Sequence, residues 1–309
     1  MTSSVRTVIA AATLLLTLAV AQPAAAQRPN CLGSTATISG TSHGNHIRGT
    51  RHRDVIVAAG GNDVIVGNGG RDKICGGRGN DKIEGAGADD RLVGGPGDDN
   101  IQSHRGNDLV VGDEAHLWGS AAADTGSDYI DVGYGVDFAV GDNYGASAQG
   151  GSHDRILGIA GPDRLIGDSA VTGGGTARGG APDKLTGAGG RDLVVGDSFS
   201  PRGSAVGGGR DKLSGGPKRD QLVGDSLTHT GVARGSGKDR LHGLTGSDVL
   251  YGDNLATARG GRAFGGGPDL LTGGPGNDRL RGGPMRDNCA GGSGRDHARH
   301  CGGFVIGVP

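Results

Sequence analysis

Cut every nine residues from Gly40, the chain falls into register. The first blocks are GTSHGNHIR, GTRHRDVIV, AAGGNDVIV, GNGGRDKIC, GGRGNDKIE, GAGADDRLV, GGPGDDNIQ and SHRGNDLVV, ending at Val111. Position 8 is aliphatic in each: Ile47, Ile56, Ile65, Ile74, Ile83, Leu92, Ile101 and Val110. Position 6 is Asn45 and then Asp54, Asp63, Asp72, Asp81, Asp90, Asp99 and Asp108. From Gly112 a short insert opening with Gly-Asp precedes each pair of nonapeptides; the inserts are 112–122, 141–148, 167–177, 196–205, 224–233 and 252–263. The later nonapeptides carry Asp128, Asp137, Asp154, Asp163, Asp183, Asp192, Asp211, Asp220, Asp239, Asp248, Asp269, Asp278, Asp287 and Asp296 at position 6. Of 22 nonapeptides, 21 hold Asp at position 6 and 19 hold Ile, Leu or Val at position 8, the exceptions being Ala139, Cys289 and Ala298.

Such self-similarity is the signature of a solenoid. Side chains of a strand alternate between faces, so a strand of about three residues points one side chain inward. Position 8 is that residue. Positions 1–6 are rich in glycine, which suits a tight turn with left-handed backbone. One such strand cannot bury its own face, but parallel stacking at about 4.8 Å builds a continuous aliphatic ladder. Two nonapeptides before each insert imply two nonapeptides per coil. The pattern therefore predicts an all-β parallel β-roll of about eleven coils, roughly 53 Å long, with inserts on coils five to ten.

Composition agrees with this reading and excludes others. Glycine supplies 68 of 309 residues, about three times ordinary usage. Glycine and Asp are poor helix and strand formers, which excludes a helical bundle or a Rossmann-like enzyme. Glycine does not recur every third residue, so collagen is excluded. The net charge of −2 provides no strong field for nucleic acid or an anionic membrane. No P-loop or HExxH motif is present, and His297 and His300 have metal spacing only on a helix, which is not expected there.

The ends are distinct. Arg6, the apolar run Val8 to Val20 and Ala24-Ala25-Ala26 read as a secretory signal peptide over 1–26, cleaved before Gln27. The apolar run is too short to span a bilayer. Residues 27–39 form an N-terminal cap, 40–299 the repeat region and 300–309 a C-terminal tail. Four cysteines favour disulfides in an exported chain. Three pairings exist, and Cys31–Cys75 with Cys289–Cys301, one clip at each end, is preferred.

Stacking also places position-6 carboxylates in columns roughly 5 Å apart. Two such charges repel by about 3 kcal/mol at an effective dielectric near 20, so a column needs cations between its members. Carboxylate and carbonyl oxygens are hard ligands that select Ca²⁺ over zinc or copper. The alternative role for each Asp is an Asx-type turn bonded to its own backbone.

These residues resemble the haemolysin-type calcium-binding repeat, the RTX nonapeptide G-G-x-G-x-D-x-U-x with U a large aliphatic. Gly76 to Glu84, Gly94 to Gln102 and Gly273 to Arg281 match every defined position. The resemblance implies a right-handed β-roll with several Ca²⁺ ions held between successive loops by the position-6 Asp and glycine-loop carbonyls. The chain departs from the family in lacking an effector module, in its N-terminal export signal, in its regular inserts and in cations beside the loops. Arg71, Lys73, Arg164, Lys184, Arg191, Arg219 and Arg295 would weaken cation binding. Position 4 is not glycine at His52, Ala88, Ser152, Ala181, Lys218 and Met285, which singles out those loops as poorer sites.

The insert residues Asp113, Asp142, Asp168, Asp197, Asp225 and Asp253 would form another column, as turn caps or as further cation ligands. Trp118, Tyr144, Phe199, Leu227 and Leu255 are expected to pack back over the roll. The sequence thus describes a secreted, monomeric, non-enzymatic calcium-binding repeat protein that folds on meeting extracellular Ca²⁺. Two alternatives are an adhesion rod meeting a cell-surface or matrix partner through its inserts and a polysaccharide-acting β-solenoid enzyme.

Overall fold

A computed structural model describes residues 29–120, 125–302 and 305–308, with side chains defined over 29–116, 125–302. The signal-peptide reading of 1–26, its cleavage point and the Trp118 side chain lie outside this range. Among the described residues every regular element is a strand. The nonapeptides alternate between two twelve-stranded parallel sheets. The first runs from His46–Arg48 to Val305–Val308, the second from Ile38–Ser39 to His297–Arg299. This is the parallel β-roll that the nine-residue register predicts.

Position 8 sets the register. In the first sheet Ile47, Ile65, Ile83, Ile101, Ile130, Ile156, Leu185, Leu213, Leu241, Leu271 and Cys289 align across the coils. In the second, Ile56, Ile74, Leu92, Val110, Ala139, Leu165, Val194, Leu222, Leu250, Leu280 and Ala298 do the same. The two ladders meet in one buried cluster. The core is therefore one side chain deep from each sheet. Its burial contributes roughly 2 kcal/mol per aliphatic residue.

The turns use left-handed backbone at positions 2 and 4, as at Gly77 (φ 111°) and Gly79 (φ 120°). Among the position-2 residues with left-handed backbone, the β-branched one is Ile159 (φ 88°), a strained choice for such a side chain.

The inserts build a third, ten-stranded sheet. Outgoing strands such as Phe199–Ser200 and Leu227–Thr228 pair coil to coil, and returning strands such as Ser204–Val206 and Val232–Arg234 do likewise. Phe199, Leu227 and Leu255 pack against Val140, Ile166, Val195 and Val223, the position-9 residues of the second sheet, with Tyr144 at the margin. The apolar insert residues thus fold back over the roll as expected. The disulfides Cys31–Cys75 and Cys289–Cys301 are the preferred pair. They tie down the two ends and fit oxidising surroundings. No helix among the described residues is long and apolar enough to cross a membrane.

Candidate metal centre

The roll has two edges. On the plain edge, a loop joins each first-sheet strand to the second-sheet strand of the same coil. On the insert edge, the chain passes to the next coil, through an insert in six cases. Position-6 residues fall into two columns accordingly. Asp54, Asp72, Asp90, Asp108, Asp137, Asp163, Asp192, Asp220, Asp248, Asp278 and Asp296 line the plain edge. Asn45, Asp63, Asp81, Asp99, Asp128, Asp154, Asp183, Asp211, Asp239, Asp269 and Asp287 line the insert edge.

Each column is a ladder. The backbone N–H of every position-6 residue donates to Oδ1 of the position-6 Asp in the next coil, at 2.6–3.0 Å. On the insert edge the ladder runs unbroken from Asn45 to Asp287. On the plain edge it runs from Asp54 to Asp296. The carboxylates are buried by this stacking, most of them 3 % exposed or less.

The second oxygen behaves differently. Oδ2 is buried and has no hydrogen-bond donor in all of these Asp residues except Asp54. A buried polar atom without a partner is costly and calls for an explanation. At Asp54, Oδ2 accepts from the Thr50 amide and hydroxyl at 2.6 and 2.9 Å, so here the Asx-type turn prevails. Elsewhere Oδ2 faces the position-1 glycine of its own loop and a carbonyl of the next coil. A Cβ on Gly215 would stand 2.6 Å from Asp220 Oδ2 and 2.9 Å from Gly243 O. That oxygen-lined cleft is open only because position 1 lacks a side chain. Ala58, Ser103 and Val132 close it in three loops, those of Asp63, Asp108 and Asp137, a distinction that position 4 does not reveal.

Electrostatics follows the same division. Desolvation by burial, ahead of neighbouring carboxylates, raises the Asp pKa values. On the plain edge Asp192 and Asp278 rise to about 6 and Asp163 and Asp220 to about 7. On the insert edge Asp239 and Asp269 reach about 8, and Asp128, Asp154 and Asp183 stand well above the ordinary carboxylate value. The flanking cations do not neutralise them. Strand pleating turns position 7 outward. Among the described residues the ion pairs are Arg71–Asp89 at 2.9 Å, Lys82–Glu84 at 2.9 Å and His116–Glu114 at 3.2 Å. None involves a position-6 Asp.

Among the described residues no three His, Cys, Asp or Glu side chains gather at one point. A cation here would be held by carboxylates of adjacent coils completed by loop carbonyls. That donor set is all oxygen and suits Ca²⁺. The orphaned Oδ2 atoms and the glycine-lined cleft both fit such an ion.

One placement was not legible in the nine-residue cut. Gly112, Gly141, Gly167, Gly196, Gly224 and Gly252 stack as position-1 glycines, with Gly112 N–H on Val140 O and Gly141 N–H on Ile166 O, both at 3.0 Å. Each opening Gly-Asp is therefore positions 1 and 2 of an interrupted repeat, and the excursion begins after the Asp. Counting backward from the strand hides this, because the return strand occupies the same two places.

The fold and its two oxygen ladders define a cation-binding parallel β-roll. The family model for the RTX calcium-binding nonapeptide repeat matches four stretches, residues 39–83, 84–115, 235–254 and 265–298, so the chain carries RTX calcium-binding repeats over those stretches. No curated protein matches it. Between the matched stretches the ladders continue without a break.

Proposed function

We propose that this is an exported, non-enzymatic protein whose roll is stabilised by Ca²⁺ bound along both position-6 columns. The observation that carries the reading is the row of buried Oδ2 atoms with no donor. The ligands are the position-6 Asp residues from Asp72 to Asp296, with Asp63 flanked by Ala58, and with the Asp108 and Asp137 loops weakened by Ser103 and Val132. Asp54 is excluded by its bonds to Thr50.

Stabilisation follows from the geometry. A core one side chain deep buries little apolar surface per ordered residue, while ordering each residue costs about 1–2 kcal/mol. Cation binding to the folded state alone adds stability by mass action. Extracellular fluid supplies both Ca²⁺ and the oxidising conditions that the two disulfides require. The reading as an enzyme has no support in the arrangement of the carboxylates, which lie between stacked loops and not in an open groove.

Isothermal titration of the chelator-stripped protein with CaCl₂ tests the proposal. Saturable binding of several ions per chain is expected. Absence of binding at millimolar Ca²⁺ contradicts it.

A further inference from the structure

The Gly-Asp pair at each interruption has a geometry of its own. Three uninterrupted loops on the insert edge place glycine after glycine, at Gly76-Gly77, Gly94-Gly95 and Gly282-Gly283. Interrupted coils place Asp113, Asp142, Asp168, Asp197, Asp225 or Asp253 there. Backbone bonds stack them: Asp113 N–H donates to Asp142 O at 3.2 Å, Asp142 to Asp168 at 3.1 Å and Asp168 to Asp197 at 3.3 Å. Their Oδ1 atoms close the excursion. They accept from the amides of Gly126, Ala181, Gly209, Gly237 and Gly267 at 2.7–3.3 Å. At Asp142 the Ser152 hydroxyl donates instead.

Turn closure uses one oxygen only. Oδ2 of Asp113, Asp142, Asp168, Asp197 and Asp253 is buried without a donor. The first four residues are 0 % exposed. The nearest charges are negative: Asp128 and Asp142 act on Asp113, Asp183 and Asp197 on Asp168, and Asp211 and Asp225 on Asp197. The hydroxyls of Ser169 and Ser226, beside Asp168 and Asp225, are also buried without partners. Asp225 is the exception among the carboxylates. Its Oδ2 accepts from Asn254 Nδ2 at 3.2 Å.

We propose that these Asp residues form a second file of divalent-cation sites, beside the position-6 column and inside the insert edge. The proposal rests on the calcium reading above. Asp113 pairs with Asp128, Asp142 with Asp154, Asp168 with Asp183 and Asp197 with Asp211, each pair offering an unpartnered Oδ2 from both members. At Asp225 the Asn254 amide takes the place of the ion. The competing arrangement is a proton shared between neighbouring carboxyls, since Asp142 lies within hydrogen-bonding reach of Asp113 and Asp168.

Native mass spectrometry of the calcium-loaded full chain counts the ions. Asp168→Asn and Asp197→Asn keep the Oδ1 acceptor that closes the turn, and each should lose a bound Ca²⁺. Asn254→Ser frees Asp225 Oδ2 and should gain one; serine already follows the insert Asp at Ser169, Ser198 and Ser226. Unchanged counts overturn the second file and leave the calcium reading standing. A wild-type chain with no bound Ca²⁺ overturns both. Where the asparagine variants fail to fold, the serine variant alone decides.

Discussion

The two edges of the roll carry the same residue in the same hydrogen-bonded ladder, yet they hold it differently. On the plain edge the loops lie near solvent, and burial lifts Asp192 and Asp278 only to about 6. On the insert edge a third sheet continues the chain past the loops; Asp211 rises to about 7, as far as plain-edge Asp163 and Asp220, and Asp239 and Asp269 reach about 8. The position-6 Asp and its Oδ1 bond are shared, so the difference comes from what surrounds the loop. An insert here is a device that sets the depth of an existing column and adds a second carboxylate beside it.

The strongest way to break the comparison is to fill one glycine cleft on each edge. A Cβ on Gly196 would overlap both Gly224 O and Asp211 Oδ2, whereas one on Gly85 would stand 2.7 Å from Asp90 Oδ2 and 3.2 Å from Ser103 O. Gly196→Val should cost more than about 4 kcal/mol, in the exceptional range for a point change, and Gly85→Val less. Urea unfolding of the two variants compares them. Equal costs would show that the edges are equally open.

The disulfides give the next effect. Cys31–Cys75 spans 44 residues and Cys289–Cys301 spans 12. Loop-closure entropy assigns about 4 and about 3 kcal/mol to them. Replacing each pair by serine and measuring thermal unfolding should show the larger loss at the N-terminal end.

Proton linkage separates the edges by pH. Folded pKa values above the unfolded 3.8 mean that the metal-free roll is most stable below about pH 4 and loses stability as pH rises. The plain-edge groups contribute this loss up to about 6–7, and Asp239 and Asp269 extend it to about 8. In EDTA, denaturant midpoints should therefore fall between pH 4 and pH 8, and fall less steeply in the double variant Asp239→Asn/Asp269→Asn, where Asp99, Asp128, Asp154 and Asp183 still contribute. A midpoint that rises over that range contradicts the burial of these groups.

The smallest effect belongs to the surface cations. Arg71 is 72 % exposed and meets Asp89, not a ladder Asp. Arg71→Ala should change stability by less than about 0.5 kcal/mol and leave Ca²⁺ affinity unchanged, as titration calorimetry would show.

The fold was legible because position 8 and position 6 obey one physical period. Leu222 and Asp220 could be placed from spacing alone, and so could the columns. The third sheet was also written in the sequence, at a place where the nine-residue cut does not look. Position 9 of the second sheet is aliphatic at Val140, Ile166, Val195 and Val223, where inserts follow, and polar at Gln102, Thr186 and Ser214 on the first sheet. Aliphatic outward positions concentrated on one sheet, against Val66 and Leu157 alone among Val, Ile and Leu on the other, signal a covering layer. Sequence proximity to a loop does not give the direction of a cation: Arg71, at position 5, is 72 % exposed and meets Asp89, and the strand pleat sends position 7 away from the carboxylates. The donorless state of Oδ2 has no sequence signal, because it depends on the stacking distance.

Far-UV circular dichroism during thermal unfolding, with millimolar CaCl₂ and with EDTA at pH 7.5, tests the central claim most directly. The account predicts a β-sheet transition at markedly higher temperature with Ca²⁺, and a weakened or absent one in EDTA. Superimposable melts would contradict it.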